Sequence, residues 1–78
     1  MKELIVLEQI VNPNGRSDSK WYRNLFLNPE SIESVGRWHV NRKGESRVVT
    51  NSGTVYIINE FPENILSQIE NYQNQLNR

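Results

Sequence analysis

The chain of 78 residues contains no cysteine, which excludes a disulfide framework and any cysteine-ligated zinc site. It has a single histidine, so the nucleophile and base pairs of hydrolytic enzymes are largely excluded as well. The sequence has no calcium-loop spacing, no zinc-protease motif and no glycine-rich phosphate loop. These absences predict a protein that is not an enzyme and that uses no metal and no cofactor.

Long apolar runs are also missing from the sequence. The run at residues 4–7 ends at Glu8 and is too short for a signal peptide or a membrane span. Mean hydropathy is −0.69, which is polar for a folded chain. We expect a cytoplasmic protein without a membrane span. The length predicts one domain, residues 1–78, whose core is thin enough that a partner or a homo-oligomer would help to stabilise it.

Alternating and β-branched apolar residues predict five strands, separated by turns rich in asparagine, proline and glycine. The second strand has apolar residues on both faces, which is typical of a strand near the middle of a sheet. A tight turn is expected at residues 28–31 and a hairpin connection at residues 41–46. The strands are expected at residues 3–11, 20–28, 32–40, 47–51 and 54–59.

The hydrophobic period changes at Pro62, a residue typical of the first position of a helix. Apolar residues then recur at spacings of three and four, which predicts an amphipathic helix of about four turns. The fold class is therefore α+β: a small antiparallel β-meander of about five strands, twisted or barrel-like, with one C-terminal amphipathic helix. The helix stripe consists of Ile65, Ile69, Tyr72 and Leu76, with Leu66 beside it. The core is expected to contain Ile5, Leu7, Leu25, Leu27, Ile32, Val49, Val55, Ile57, Ile65 and Ile69.

Charge is balanced overall but is uneven along the chain. Nine basic and nine acidic residues give a net charge of zero, yet residues 16–47 hold seven cations against four acids. The stretch 37–47 combines four cations with a tryptophan and the histidine, a composition that suits phosphate contacts and base stacking. The alternative is a solvated hairpin whose charges discourage edge pairing. The candidate residues for a nucleic-acid or other anionic partner are Arg37, Trp38, His39, Arg42, Lys43 and Arg47.

Large aromatic residues are a second set of candidates, because they contribute disproportionately to protein interfaces. Under this interpretation Trp21, Tyr22 and Trp38 anchor a protein partner. The distal half of the helix, with Tyr72 and Leu76, then protrudes and contacts a partner or a second copy. The alternative is that the whole helix stripe packs on the sheet.

Two stretches, FLNPESIESV and RVVTNSGTVYIINEFPENILSQIENY, resemble the small flagellar and swarming motility proteins of bacteria. In that family a leucine–asparagine pair ends one strand, a glycine turn joins two later strands, and a helix closes the chain. The resemblance covers about half of the chain and implies a motility role. The chain departs from the family in a loop after the first strand and in the longer hairpin at residues 37–47. The matching positions are Leu27, Asn28, Ile32, Val49, Thr50, Gly53, Tyr56, Ile58, Glu60, Ile65, Ile69 and Tyr72.

The same region is similar to the LytTR DNA-binding domains, which carry an asparagine-centred N..yI step, a glycine hairpin and a closing helix. That resemblance implies DNA binding, with the basic hairpin as the contact. From the residues themselves, we expect a non-catalytic small binding module or adaptor that acts through a macromolecular interface, with a protein as the leading partner. The alternatives are a nucleic-acid-binding module that uses the 37–47 hairpin and a self-assembling structural subunit.

Overall fold

The structure is a computed structural model that describes residues 4–12 and 20–76. Its elements are β1 (Ile5–Ile10), β2 (Tyr22–Leu27), a single turn of 3-10 helix (Pro29–Ser31), β3 (Ile32–His39), β4 (Arg42–Thr50), β5 (Val55–Ile58) and α1 (Pro62–Leu76). The five strands form one antiparallel sheet in the order β2-β1-β5-β4-β3. The sheet is not closed, because β2 and β3 lie at opposite edges. The predicted small α+β fold with one C-terminal helix is confirmed.

Strand β1 lies inside the sheet, between β2 and β5, so that β2 is an edge strand. The prediction that β2 lies near the middle of the sheet is wrong. Apolar side chains do occur on both of its faces, but Tyr22 and Phe26 are 48% and 59% exposed. Strand β2 therefore has apolar side chains on both faces, although one of these faces is not covered by another element.

The turn ahead of β3 is short and well capped. Asn28 caps the single turn of 3-10 helix, because its Oδ1 accepts a hydrogen bond from the N–H of Glu30 at 2.9 Å. The carbonyl of Asn28 accepts a second hydrogen bond from the N–H of Ser31, also at 2.9 Å. The tight turn predicted at residues 28–31 thus takes a helical form.

The β3–β4 hairpin is tighter than the sequence predicts. Its turn contains only Val40 and Asn41, and β4 takes in most of the stretch expected to be the connection. The strand accommodates this stretch through a register shift, in which residues 43–45 lie opposite Trp38 alone. His39 closes the turn, because its Nδ1 accepts a hydrogen bond from the N–H of Asn41 at 3.2 Å.

Helix α1 packs on one face of the sheet, which we call the helix face. It starts at Pro62, as predicted. Ser46 in β4 is fully buried, and its Oγ donates a hydrogen bond to the carbonyl of Glu60, just ahead of the helix. The Glu60 carboxylate accepts hydrogen bonds from the N–H of Phe61 and from Nδ2 of Asn64. These contacts fix where the helix leaves the sheet.

The apolar stripe of α1 docks on the sheet largely as predicted. Ile65 and Tyr72 are buried, and Ile69 is partly buried against the core, so these three positions are confirmed. Leu66 was expected to widen the stripe, but it is 51% exposed. The side chain of Leu76 lies outside the described part of the structure. The docked stripe is therefore narrower than the sequence predicts.

The core between α1 and the helix face differs from the prediction in β4 and β5. Val48 rather than Val49 joins the core cluster, and Ile58 joins it in place of Val55. Ile57 is buried as predicted, but outside this cluster. Each of these strands carries two adjacent β-branched residues, so alternation does not decide which one faces inward. The cluster consists of Ile5, Leu7, Leu27, Val48, Ile58 and Ile65, with Leu25, Ile32, Val35, Tyr56 and Ile69 partly buried against it.

The opposite face of the sheet, which we call the open face, has a small buried centre. Ile10 and Ile57 are 1% and 6% exposed there. Strand alternation assigns both residues to this face, because their chain neighbours Gln9 and Ile58 pair with each other on the helix face. The open face therefore combines a covered centre with exposed apolar residues elsewhere.

Candidate functional site

The residues predicted to contact an anionic partner do not share one surface. Arg37 pairs with Ser46, and Arg47 pairs with Gly36 at the next register position. Directly opposite residues in an antiparallel ladder share a face, and successive residues alternate between faces. Arg37 therefore lies on the helix face, where Ser46 is buried, and Arg47 lies on the open face. Both arginines are exposed, but they project to opposite sides of the sheet.

A third cation of the predicted basic hairpin is paired within the chain. Arg42 Nη1 lies 3.5 Å from Oε1 of Glu45, and Lys20 Nζ lies 3.0 Å from Oε2 of the same carboxylate. The Glu45 side chain is only 14% exposed, and its Oε1 is buried and accepts no hydrogen bond from the described residues. The arginine charge at 3.5 Å still compensates this oxygen electrostatically. Arg42 and Lys20 therefore share one carboxylate, and the three side chains together carry a net charge of +1.

The remaining members of the predicted basic surface are constrained by the hairpin. Trp38 is partly buried, so only part of its ring is accessible. His39 is exposed, but one of its ring nitrogens is engaged with the turn. The side chain of Lys43 lies outside the described residues. The hairpin therefore exposes charges that lie on different faces and a tryptophan ring that is partly buried.

The Lys20–Glu45 ion pair joins two parts of the sheet that are distant in the strand order. Lys20 lies just ahead of β2, and Glu45 lies in β4, with β1 and β5 between them. Neighbouring strands lie about 4.8 Å apart, so a flat sheet would separate β2 and β4 by about 14 Å. The long lysine and glutamate side chains bridge this separation, since their charged atoms meet at 3.0 Å. The buried Ile10 and Ile57 belong to the two strands that the pair bridges.

Exposed apolar residues gather on the open face of β1 and β2. Val6 and Phe26 are directly opposite in the β1–β2 ladder and are 47% and 59% exposed. Leu4, on the same face two residues before Val6, is 52% exposed, and Tyr22, opposite Ile10, is 48% exposed. We call Leu4, Val6, Tyr22 and Phe26 the open-face patch.

A cleft of about 370 Å³ lies between the start of β1 and the distal half of α1. Two residues of the open-face patch form part of one wall, so the patch and the cleft are continuous. The helical wall carries three side-chain amides, each of which can both donate and accept hydrogen bonds. The cleft is lined by Leu4, Ile5, Val6, Gln68, Asn71, Tyr72 and Gln75.

Besides the partly buried Trp38, four residues were predicted for a protein interface, and they lie in different environments. Trp21 is 71% exposed and Tyr22 is 48% exposed, but alternation along the strand places them on opposite faces. Tyr72 is 6% exposed, so most of its side chain packs in the core rather than protruding. Leu76 is the last residue of α1, and its side chain lies outside the described residues. Of the four, only Tyr22 belongs to the open-face patch.

Sequence reasoning missed Leu4, Val6 and Phe26 as surface residues. A signal was present, because Leu4 and Val6 alternate with Ile5 and Leu7 in the first strand. Both faces of that strand are apolar, and a single helix can cover only one face of a sheet. The count of helices could therefore have indicated that one apolar face stays exposed.

Two further features bear on the site. Within residues 4–12 and 20–76, no group of three or more histidine, aspartate or glutamate side chains is placed to hold a metal ion. In the same part of the chain, no helix has the length and apolarity needed to cross a membrane.

Comparison with family models, curated proteins and solved structures finds no match for this chain. The resemblances to motility proteins and to LytTR domains therefore stay predictions. The assignment of function consequently depends on the chemistry of the surfaces described above.

Proposed function

We propose that the chain is a non-catalytic, cytoplasmic protein-binding module that docks a partner protein on the open-face patch and the adjoining cleft. The observation that carries this proposal is the pairing of Val6 with Phe26 on an uncovered face, with Leu4 next to Val6 on that face. Tyr22 lies farther along the same face, beyond the exposed Glu8–Asn24 pair. Contiguous exposed apolar groups of this kind are typical of interaction sites. Exposed apolar residues that occur singly are normal on protein surfaces and do not indicate an interaction site.

The side chains of the patch are the kind that stabilise a complex. Burying a phenylalanine or valine side chain contributes about 1.5–3 kcal/mol when it starts fully exposed. Phe26 and Val6 are about half exposed, so each retains roughly half of that contribution for a partner. Aromatic residues also dominate interface energetics. Phe26 and Val6 together therefore contribute about 1.5–3 kcal/mol to a complex, and the rest of the interface must supply the remainder.

The cleft supplies the polar part of the proposed interface. Amide side chains of Gln68, Asn71 and Gln75 line the helical wall. They offer donors and acceptors without a charge, which suits the backbone of a peptide segment. An apolar anchor beside a neutral hydrogen-bonding wall favours an uncharged, apolar segment of a partner protein over a nucleic acid.

The nucleic-acid alternative has less support. Phosphate binding depends on several cations that act on one surface. Here Arg37 and Arg47 lie on opposite faces, and Arg42 is paired with Glu45. The net charge of zero also fits a protein partner better than a polyanion.

Site-specific photo-crosslinking in the native host tests the proposal. A photoreactive phenylalanine analogue is placed at Phe26, and a matched control carries it at Leu66, which is 51% exposed on α1. We expect an adduct with a different protein at position 26, absent at position 66 and lost when Val6→Asp is added. An adduct of equal yield at both positions, or none at position 26, would contradict the proposal. An adduct of twice the 9.2 kDa chain mass reports self-association and is not counted as a partner.

A further inference from the structure

The outer edge of β2 presents unpaired backbone groups in a regular order. The N–H of Val11 donates to the carbonyl of Trp21 at 2.8 Å, which shows that odd-numbered positions of this strand bond to β1. In an antiparallel ladder the bonding direction alternates from residue to residue. The N–H and carbonyl groups of Tyr22, Asn24 and Phe26 therefore point away from β1. In the described part of the chain no strand lies beyond them.

The two edges of the sheet differ in how they are protected. Strand β3 carries two register shifts, has Glu33 and Arg37 exposed along it, and lies against α1. Bulges, charges and covering elements are the usual means of preventing edge-to-edge pairing. Strand β2 has an unbroken register with β1, and Arg23 is its single charged residue. The open edge of the molecule is therefore β2.

We propose that β2 pairs antiparallel with β2 of a second copy of this chain, on a twofold axis that passes between the two Asn24 residues. This register opposes Tyr22 to Phe26 of the second copy, and Asn24 to Asn24. Each opposed pair consists of outward-bonding residues, so three pairs form six backbone hydrogen bonds. The result is a continuous ten-stranded sheet with closed twofold symmetry.

The side chains favour this register as well. On the open face, each tyrosine lies opposite a phenylalanine, a cross-strand combination that stabilises sheets. On the helix face, Arg23 lies opposite Leu25, so no like charges face each other. Both aromatic residues are about half exposed in the single chain and lose part of that exposure on pairing. The backbone hydrogen bonds and the side-chain pairs therefore favour the same register.

This inference goes beyond the proposed function, because it concerns backbone hydrogen bonds along the edge strand β2. The proposed function concerns a partner protein on the open face. The open faces of the two copies would lie on the same side of the joined sheet. Two open-face patches would then be presented together. A bivalent partner surface is the functional consequence.

Charge substitution at Asn24 tests the proposal, because the axis places position 24 opposite itself. We measure molar mass by sedimentation equilibrium for wild type, Asn24→Lys, Asn24→Asp and an equimolar mixture of the two variants. The wild type is expected to approach twice 9.2 kDa with rising concentration. Each single variant raises the dissociation constant by roughly fivefold, since like charges then face each other across the axis. The mixture restores the dimer through a Lys–Asp pair.

Matched controls use the same two substitutions at Asn74, which is exposed on α1. These controls should leave the dissociation constant unchanged. A wild type that stays at 9.2 kDa at millimolar concentration would overturn the proposal. Single variants that associate as well as the wild type, or a mixture that does not recover, would also overturn it.

A backbone substitution tests the same edge independently of charge. Asn24→Pro removes an N–H that bonds outward, so the β1–β2 ladder keeps its hydrogen bonds. We expect a folded chain by circular dichroism, with the dissociation constant raised about thirtyfold because two hydrogen bonds across the axis are lost. A folded Asn24→Pro variant that still forms the wild-type dimer would refute pairing through β2. A crosslink from Phe26 to a different protein that persists in Asn24→Lys shows that partner binding does not require the dimer. The two proposals can therefore be refuted independently.

Discussion

The Lys20–Glu45 ion pair is expected to stabilise the fold far more than an ordinary surface pair. The two side chains are 7% and 14% exposed, and their charged atoms are 3.0 Å apart. Removing one partner of a buried pair costs about 3–5 kcal/mol, because the other charge is left uncompensated. Glu45 keeps Arg42 at 3.5 Å, so the loss is smaller here. We expect Lys20→Met to lower the free energy of unfolding by about 2 kcal/mol.

A double-mutant cycle isolates the interaction itself. It compares Lys20→Met, Glu45→Gln and the double variant by urea unfolding, followed through the fluorescence of Trp21 and Trp38. We expect a coupling energy of about 1–2 kcal/mol, above the ~0.2–1 kcal/mol of exposed pairs. Arg37→Met, which alters an exposed cation, serves as the control and should change stability by less than about 0.5 kcal/mol.

The cycle also tests whether the pair protects the two strands that it bridges. If the pair holds the segment ahead of β2 over Ile10 and Ile57, the amides of both isoleucines should lose hydrogen-exchange protection in Lys20→Met. A coupling energy below about 0.5 kcal/mol would refute this reasoning. A Lys20→Met variant as stable as Arg37→Met would refute it equally.

Other substitutions test the packing and the turns. Val48→Ala should lower the free energy of unfolding by about 2–3 kcal/mol and Val49→Ala by about 1 kcal/mol or less, because only Val48 is fully buried; urea midpoints compare the two. Ser46→Ala should cost about 1–3 kcal/mol by the same assay, since it leaves a carbonyl without its hydrogen bond. Gly53→Ala should cost about 1 kcal/mol in a thermal melt, because the φ of Gly53 is +87°, whereas Gly36→Ala meets no atom within 4 Å and should be neutral or stabilising.

Local patterns predicted the elements of this fold well. The proline at residue 62 and the apolar stripe that follows it located α1, because helix starts and helical periods depend on nearby residues. The strands were located by the same kind of local signal, except that β4 begins five residues before its predicted start. The position of β1 between β2 and β5 was not predictable in this way. Its one ladder pair with β5, Gln9–Ile58, joins residues far apart in the chain.

The faces of the strands were the harder problem, and the candidate site depends on them. Adjacent apolar residues such as Val48 and Val49 leave the inward face undecided, and a one-residue change of register reverses it. The same ambiguity made Arg37 and Arg47 look like parts of one basic surface, although alternation along the paired strands puts them on opposite faces. The exposure of Phe26 likewise follows from the edge position of β2, which is a property of the whole sheet.

The most direct test of the central claim is quantitative affinity purification from the native host with three versions of the chain as bait. They are the wild type, Phe26→Ser and the double variant Arg37→Ser/Arg47→Ser. Docking on the open-face patch predicts a protein partner that is retained by the arginine variant and lost from Phe26→Ser. Loss from the arginine variant with full retention by Phe26→Ser, accompanied by salt-labile nucleic acid, would contradict the account.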